Sequence, residues 1–220
     1  MIMKQFAVIG IGRFGSSVAR TLCALGYQVL AVDKDQERVQ EISDCVTHAV
    51  QADATDEDAL KALGLRNFDA VVVSIGTDIQ ASIMVTLLCK ELGVKFVLAK
   101  AQNDLHAKVL YKIGVDKVIF PERDMGMKVA HHLASTNIID YIELASDYSL
   151  VELTAIPEWE GKSLKQIDMR AAYGLNVVAI KRGNDVLVSP KGEDIIKEGD
   201  ILVVIGRNDH IKRLEEKTQE

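Results

Sequence analysis

The sequence predicts an α/β protein: a doubly wound parallel sheet followed by a second, smaller α+β domain. Three observations carry this. Short β-branched runs alternate with amphipathic helical stretches from Phe6 to Phe120, the signature of a parallel sheet covered on both faces. A Gly10-x-Gly12-x-x-Gly15 motif stands between the first such run and the first helix. Beyond Ile138 the apolar runs follow one another with turn signals between them and little helix.

In the first part six strands are expected, over residues 6–9, 28–32, 48–51, 70–74, 96–99 and 117–120, with helices between them. Several of those helices are stopped by glycine, at Gly26, Gly64, Gly93 and Gly114, because glycine readily takes the left-handed conformation that ends a helix. Pro121 fixes a turn after the sixth strand, and the helical spacing of Met125, Val129, His132 and Leu133 predicts one more helix over 122–135, read as a connector. The second part is expected to hold strands over 150–156, 176–181, 185–189 and 201–205. Its turns fall at Arg182-Gly183-Asn184 and Glu198-Gly199-Asp200. The domain boundary is placed between 137 and 138, giving a nucleotide-binding domain with connector helix over 1–137 and a smaller domain over 138–220. No low-complexity linker or internal repeat is seen.

Composition limits the function classes. The chain has 220 residues, 48% hydrophobic and 26% charged, with a net charge of −6. It has no basic tract, which argues against general nucleic-acid binding, where clustered Lys and Arg neutralise phosphates. Its longest apolar runs are strand-sized, far below the roughly 20 residues of a membrane span. The start of the chain lacks the pattern of a secretory signal, so a cytoplasmic location is expected. Cys23, Cys45 and Cys89 are odd in number and widely spaced, which suits buried thiols better than a disulfide framework or a metal site.

The glycine motif follows an apolar strand directly and opens a helix, the context that gives the pattern meaning. Its glycines let the backbone turn tightly and approach a diphosphate, and the helix N–H groups and dipole favour the negative charge. This is the phosphate loop of a Rossmann-type unit, formed by Gly10, Gly12, Arg13, Phe14 and Gly15. Asp33 ends the second strand where an acid accepts hydrogen bonds from ribose hydroxyls, which disfavours the 2′-phosphate of NADP. NAD, NADH, ADP and ATP share these features. Arg13 within the loop favours ADP or ATP, because a guanidinium fork suits phosphate oxygens and is most useful beyond two phosphates; a solvated arginine in the first helical turn is the alternative. Lys34 follows Asp33 at the crevice. Asp53 closes the third strand beside Ala54, where an adenine amino group could donate to the carboxylate. Thr55 and Asp58 read as a helix-capping pair. Ser74, Ile75 and Gly76 end the fourth strand and Lys100 the fifth, so all line the crevice at the carboxyl ends of the strands. Lys100 suits either a phosphate or a surface ion pair.

Hydride transfer needs an acid or base poised near a nicotinamide. His106, His131, His132 and His210 adjoin no Cys, Ser or carboxylate pattern of that kind, and the second part is small for enclosing a substrate. An NAD-dependent oxidoreductase or NADH redox sensor is therefore the second reading, and a non-enzymatic binding protein the first.

The segments FAVIGIGRFG, AVDKD, THAVQADATDE, GLRNFDAVVVSIG, IQASI, KAQN, KIGVDKVIFPERDMG and DMRAAYGLNVVAIKRG resemble the RCK (regulator of potassium conductance) family, and within it the KtrA/KtrC type of bacterial Ktr potassium uptake regulators. The resemblance covers essentially the whole chain. It implies a cytoplasmic regulatory subunit, peripheral to the inner face of the membrane through a KtrB/KtrD-type potassium translocating subunit, with homodimers assembled into a homo-octameric ring. It implies that ATP favours the active ring and ADP the inactive one, with Arg13 sensing the terminal phosphate, Asp33 anchoring the ribose and Asp53 contacting adenine. Glu122 reads from the residues as a first-turn acid at a helix N-terminus, on a strand expected to lie away from the phosphate loop of its own subunit. The resemblance gives it a part in holding Mg²⁺ or a monovalent cation near the nucleotide across the dimer. It also implies that the second domain binds cyclic di-AMP at a dimer interface, through Ile167, Arg170, Asn176, Val177 and Pro190; an Arg170 paired with a nearby acid is the alternative.

Overall fold

The computed structural model describes residues 4–134 and 138–218. The chain divides into two compact units, Met1–Glu122 and Arg123–Glu220. Helix 121–134 is thereby counted with the second unit for all but its first two residues, whereas the sequence reading joined it to the first domain.

The first unit is one parallel sheet of β1 (Gln5–Ile9), β2 (Gln28–Asp33), β3 (His48–Gln51), β4 (Ala70–Val73), β5 (Val97–Lys100) and β6 (Lys117–Ile119), in the order β3-β2-β1-β4-β5-β6. The six expected strands are all present, each within one residue of its expected ends. Alternate residues of a strand face opposite sides, and here both sides are buried. Ala7, Ile9, Val71 and Val73 pack into one core, while Val8 and Val72 pack into the core on the other face with Val29, Ala31 and Ile42. That double burial is why these strands read as continuous apolar runs.

The helices of this unit are α1 (Arg13–Ala24), α2 (Gln36–Ser43), α3 (Glu57–Ala62), α4 (Ile79–Glu91) and α5 (Asp104–Ile113), and α6 (Pro121–Ala134) leaves β6. Four of them start on a side chain that accepts a backbone N–H of the first turn: Asp35, Asp56, Asp78 and Asn103. Each cap fixes how the chain turns from a strand's carboxyl end into the next helix. The cap of α3 corrects the expectation for Thr55 and Asp58: Asp56 receives the Asp58 and Ala59 N–H groups, and Thr55 is bonded to Asp53 instead.

The second unit is an antiparallel sheet of β7 (Ile138–Ala145), β8 (Tyr148–Thr154), β9 (Leu175–Arg182), β10 (Asp185–Val188) and β11 (Ile201–Arg207), ordered β10-β9-β11-β8-β7. Short helices α7 (Leu164–Ile167) and α8 (Met169–Tyr173) and the terminal α9 (Asn208–Thr218) complete it. Its core holds Val151, Leu153, Trp159, Leu175, Ile180, Leu202 and Val204, with Trp159 edge-on to Tyr173 at 5.7 Å between ring centroids. Strand β7 has no counterpart in the sequence reading. The Asp200 carboxylate, fully buried, receives both Nε and Nη2 of Arg182 at 2.8 and 2.7 Å, tying the turn before β11 to the end of β9.

Candidate functional site

The carboxyl ends of the parallel strands open onto a cavity of about 780 Å³ in the first unit. Its floor is the phosphate loop. Gly10 sits at φ +93°, a conformation that an L side chain rarely adopts, and its N–H donates to Val32 O at 2.8 Å. The Ser74 hydroxyl donates to Gly10 O at 2.5 Å. Gly15 lies against both groups: a Cβ there would stand 2.0 Å from Gly10 O and 2.4 Å from Ser74 Oγ. At Gly12, by contrast, a Cβ would meet nothing within 4 Å. No side chain caps α1 and no acid stands in its first turn, which leaves the N–H groups and the positive end of the helix to an incoming anion. Arg13 borders the cavity as the first residue of that helix, and Phe14 turns partly into the core beneath.

Toward β2 and β3 the lining is acidic. Asp33 is nearly buried. One carboxylate oxygen accepts Ile11 N at 2.5 Å and the other accepts Asp35 N at 2.9 Å, while Arg38 approaches at 3.7 Å. The Asp53 carboxylate accepts both the hydroxyl and the N–H of Thr55, at 2.7 and 2.9 Å. Those bonds, the hydroxyl's first, hold its carboxyl below the usual carboxylate range. Lys34 and Ala54 complete this end.

Toward β5 and β6 the lining is a charged pair. Lys100, only 8% exposed, donates through Nζ to Glu122 Oε1. The lysine runs past Gly76, where a Cβ would stand in ordinary contact with Nζ at 3.4 Å. That hydrogen bond, with smaller help from Lys100 and Arg13 charge, holds the Glu122 carboxyl below its ordinary value. Glu122 therefore lies in the cavity of its own chain. Its strand does stand apart from the phosphate loop, β6 being the sheet edge three strands from β1, and Glu122 borders the cavity from the first turn of α6, where Lys100 reaches it from β5. Among the described residues no group of three or more His, Cys, Asp or Glu side chains could hold a metal ion, so a cation at Glu122 would need ligand oxygens or another chain to complete its shell.

Thr77, Asp78, Gln102 and Arg38 also line the cavity. Sequence reasoning passed over them, although Thr77, Asp78 and Gln102 stand in the turns that follow β4 and β5. Ser74, expected to line the crevice, spends its hydroxyl on the loop backbone. The described histidines bring no catalytic group here. His106 is buried on α5, where its Nε2 finds no hydrogen-bond partner and burial lowers its pKa; the side chain of His131 lies outside the described residues.

In the second unit Asn176 and Val177 lie on β9, and the Ser189 N–H bonded to Val178 O at 2.8 Å brings Pro190 beside them. Arg170 is exposed on α8, one turn before Gly174 and β9. Ile167 is 8% exposed and packs into the core, so it faces the domain interior in the single chain.

Residues 6–121 match the TrkA-N domain and residues 149–219 the TrkA-C domain. The chain is 51% identical over 214 residues to Ktr system potassium uptake protein C of Bacillus subtilis (strain 168), covering 97% of each. The chain belongs to the RCK family. Ktr system potassium uptake protein A of the same organism is 50% identical to this RCK protein over 212 residues, 96% of each. The solved RCK domain of GsuK superposes with a TM-score of 0.54 at 24% identity, covering 98% of this chain and 46% of that one, a likeness of fold. As an RCK protein of the Ktr type, the chain is a regulatory subunit of potassium uptake and not an enzyme. Among the described residues of the RCK protein no helix is long and apolar enough to cross a membrane.

Proposed function

We propose that this RCK protein is a cytoplasmic, nucleotide-gated subunit that sets the activity of a membrane-embedded potassium translocating partner. ATP and ADP bind the cavity of the first unit, and the two ligands stabilise different arrangements of a homo-octameric ring. One observation carries the reading: a single cavity joins an acid-lined end, fitted to ribose and adenine, to an uncapped helix N-terminus flanked by Arg13 and Lys100. The α1 N-terminus holds the diphosphate common to both ligands. Arg13 holds the third phosphate, and only such differential affinity can shift an equilibrium between two assemblies. Glu122 takes part in binding Mg²⁺ or a monovalent cation with ATP. The second unit binds cyclic di-AMP as a dimer, with Arg170 on a phosphate and Val177 and Pro190 against the adenines. Its two-fold symmetric ligand suits an isologous interface.

The test is a competition titration of wild type and Arg13→Ala with ATP, ADP and NADH. Wild type should prefer ATP and ADP. The variant should lose about ten- to a hundredfold in ATP affinity, as expected for a charge-assisted contact, and much less for ADP. Equal losses for both ligands would remove the sensing role, and preferential NADH binding would replace the ligand assignment.

A further inference from the structure

The acid-lined end of the cavity holds a cation that no phosphate requires. Arg38 stands in the first turn of α2, whose direction is fixed by the Asp35 cap, and it borders the cavity beside Asp33. Its Nη1 lies 3.7 Å from the Asp33 carboxylate and its Nε 3.5 Å from that of Asp35. Asp33 in turn accepts Ile11 N and Asp35 N, so the guanidinium is placed relative to the phosphate loop. Two carboxylates offset its charge and leave it little attraction for a phosphate, yet 51% of the side chain stays exposed. What such a guanidinium still offers is its flat face: arginine pairs with carboxylates along its edge and stacks on aromatic rings through its weakly hydrated plane. Among the described residues that line the cavity there is no Tyr, Trp or His, and the aromatic side chain that does border it, Phe14, packs in part into the core beneath. Ala52, whose N–H donates to Asp33 O at 3.0 Å, adds a small apolar wall at the same end.

We infer that Arg38 selects the base: its guanidinium, held by Asp33 and Asp35, stacks on the purine face of the bound nucleotide. This rests on the nucleotide-binding reading of the cavity and adds the residue that sets base preference. On that reading the phosphates are held by α1 and Arg13, and Asp33 meets a ribose common to all ribonucleotides, so neither contact tells one base from another. Asp53 accepts an exocyclic amino group, which adenine and cytosine both carry, so it does not separate a purine from a pyrimidine. A stack does, because dispersion contact grows with the ring area covered and a purine has two rings where a pyrimidine has one. The two ion pairs also lower the entropic cost of the contact, since a side chain already tethered at Nε and Nη1 has less freedom to lose when the ring arrives.

The experiment titrates the full chain calorimetrically with ADP, CDP and inorganic pyrophosphate, comparing wild type with Arg38→Ala and Arg38→Lys. Wild type should bind ADP more tightly than CDP. Arg38→Ala should lose about three- to tenfold in ADP affinity, the size of a partly desolvated cation–ring contact, and less for CDP, so that the preference between the two narrows. Its pyrophosphate affinity should stay within about twofold of wild type, because that probe carries no base. Arg38→Lys keeps the charge without the plane and should recover little of the ADP loss. ADP binding that ignores Arg38→Ala overturns the stack. So does an equal loss for ADP and pyrophosphate, which would mark a loosened phosphate loop, and so does full recovery by lysine, which would mark charge alone. A wild type that binds pyrophosphate but neither nucleotide removes the nucleotide reading and the stack with it, whereas the other three outcomes remove the stack and leave that reading in place.

Discussion

Replacing Gly15 with alanine tests how the phosphate loop is built. Glycine within a helix is ordinarily worse than alanine by about 0.5–1 kcal/mol, so the substitution in α1 would stabilise the protein if only propensity mattered. At Gly15 the added Cβ would stand 2.0 Å from Gly10 O and 2.4 Å from Ser74 Oγ. Real contacts begin near 3.0 Å, so the Gly10 carbonyl must retreat by about 1 Å. That movement breaks the Ser74–Gly10 hydrogen bond and lifts α1 off the sheet edge. Overpacking of this kind costs about 1–3 kcal/mol and the lost hydrogen bond about 1 more, leaving a net loss of about 1–3 kcal/mol after the propensity gain. Thermal unfolding should shift down by about 2–4 °C for each kcal/mol, with ATP and ADP binding weakened together. Gly12→Ala is the control. Its Cβ meets no protein atom within 4 Å, so stability should change by less than about 1 kcal/mol, while a methyl group now stands where the diphosphate approaches and affinity falls. A Gly15→Ala protein as stable as wild type, or a Gly12→Ala protein that unfolds earlier than Gly15→Ala, would refute this account of the loop.

The Asp200 carboxyl is held below its ordinary 3.8 by its hydrogen bond from Arg182 first. Its contribution is therefore present above that value and lost as pH falls through the lower, folded one. Acid titration of stability should show that loss in wild type and not in Asp200→Asn, which should be about 1–3 kcal/mol less stable at neutral pH, and identical acid profiles would contradict it. Burial pushes the Cys89 thiol up to about 12, so iodoacetamide at pH 8 should modify it only after unfolding, and mass mapping of alkylation at Cys89 in the native protein would show the site to be open. Arg170→Ala should weaken cyclic di-AMP binding about ten- to a hundredfold and leave ATP binding intact, and a titration that shows no change removes Arg170 from that site.

Legibility followed burial. Strands β1, β2 and β4 were readable because both their faces are covered, leaving apolar runs such as Ala70–Val73, and the exposed β3 was placed by its position between helical stretches. Strand β7 was missed because IIDYIELA carries Asp140 and Glu143 among its apolar residues and is mostly exposed: an edge strand of an antiparallel sheet has neither the continuous run nor a clean alternation. Single-residue offsets in loops were also beyond reach. DATDED places four acids around the start of α3; Asp56 caps it, while Asp53 accepts from Thr55 instead. The glycine motif, Asp33 and Arg13 were found because a known chemistry fixes their spacing. The Lys100–Glu122 pair was not, because it is made by two side chains 22 positions apart whose meeting depends on how far a lysine extends across the sheet edge.

The hydrogen bond from Ile11 N to Asp33 has a consequence for how this fold can evolve. The acid proposed to anchor the ribose is also a structural strut of the phosphate loop, so on that proposal its two duties are inherited together. A lineage moving toward a 2′-phosphorylated ligand would have to discard that acid, and with it the strut, before any new basic residue could repay the loss. The shortest mutational route to a different nucleotide thus passes through a protein with a loosened loop, and selection on stability would close that route well before selection on specificity could act.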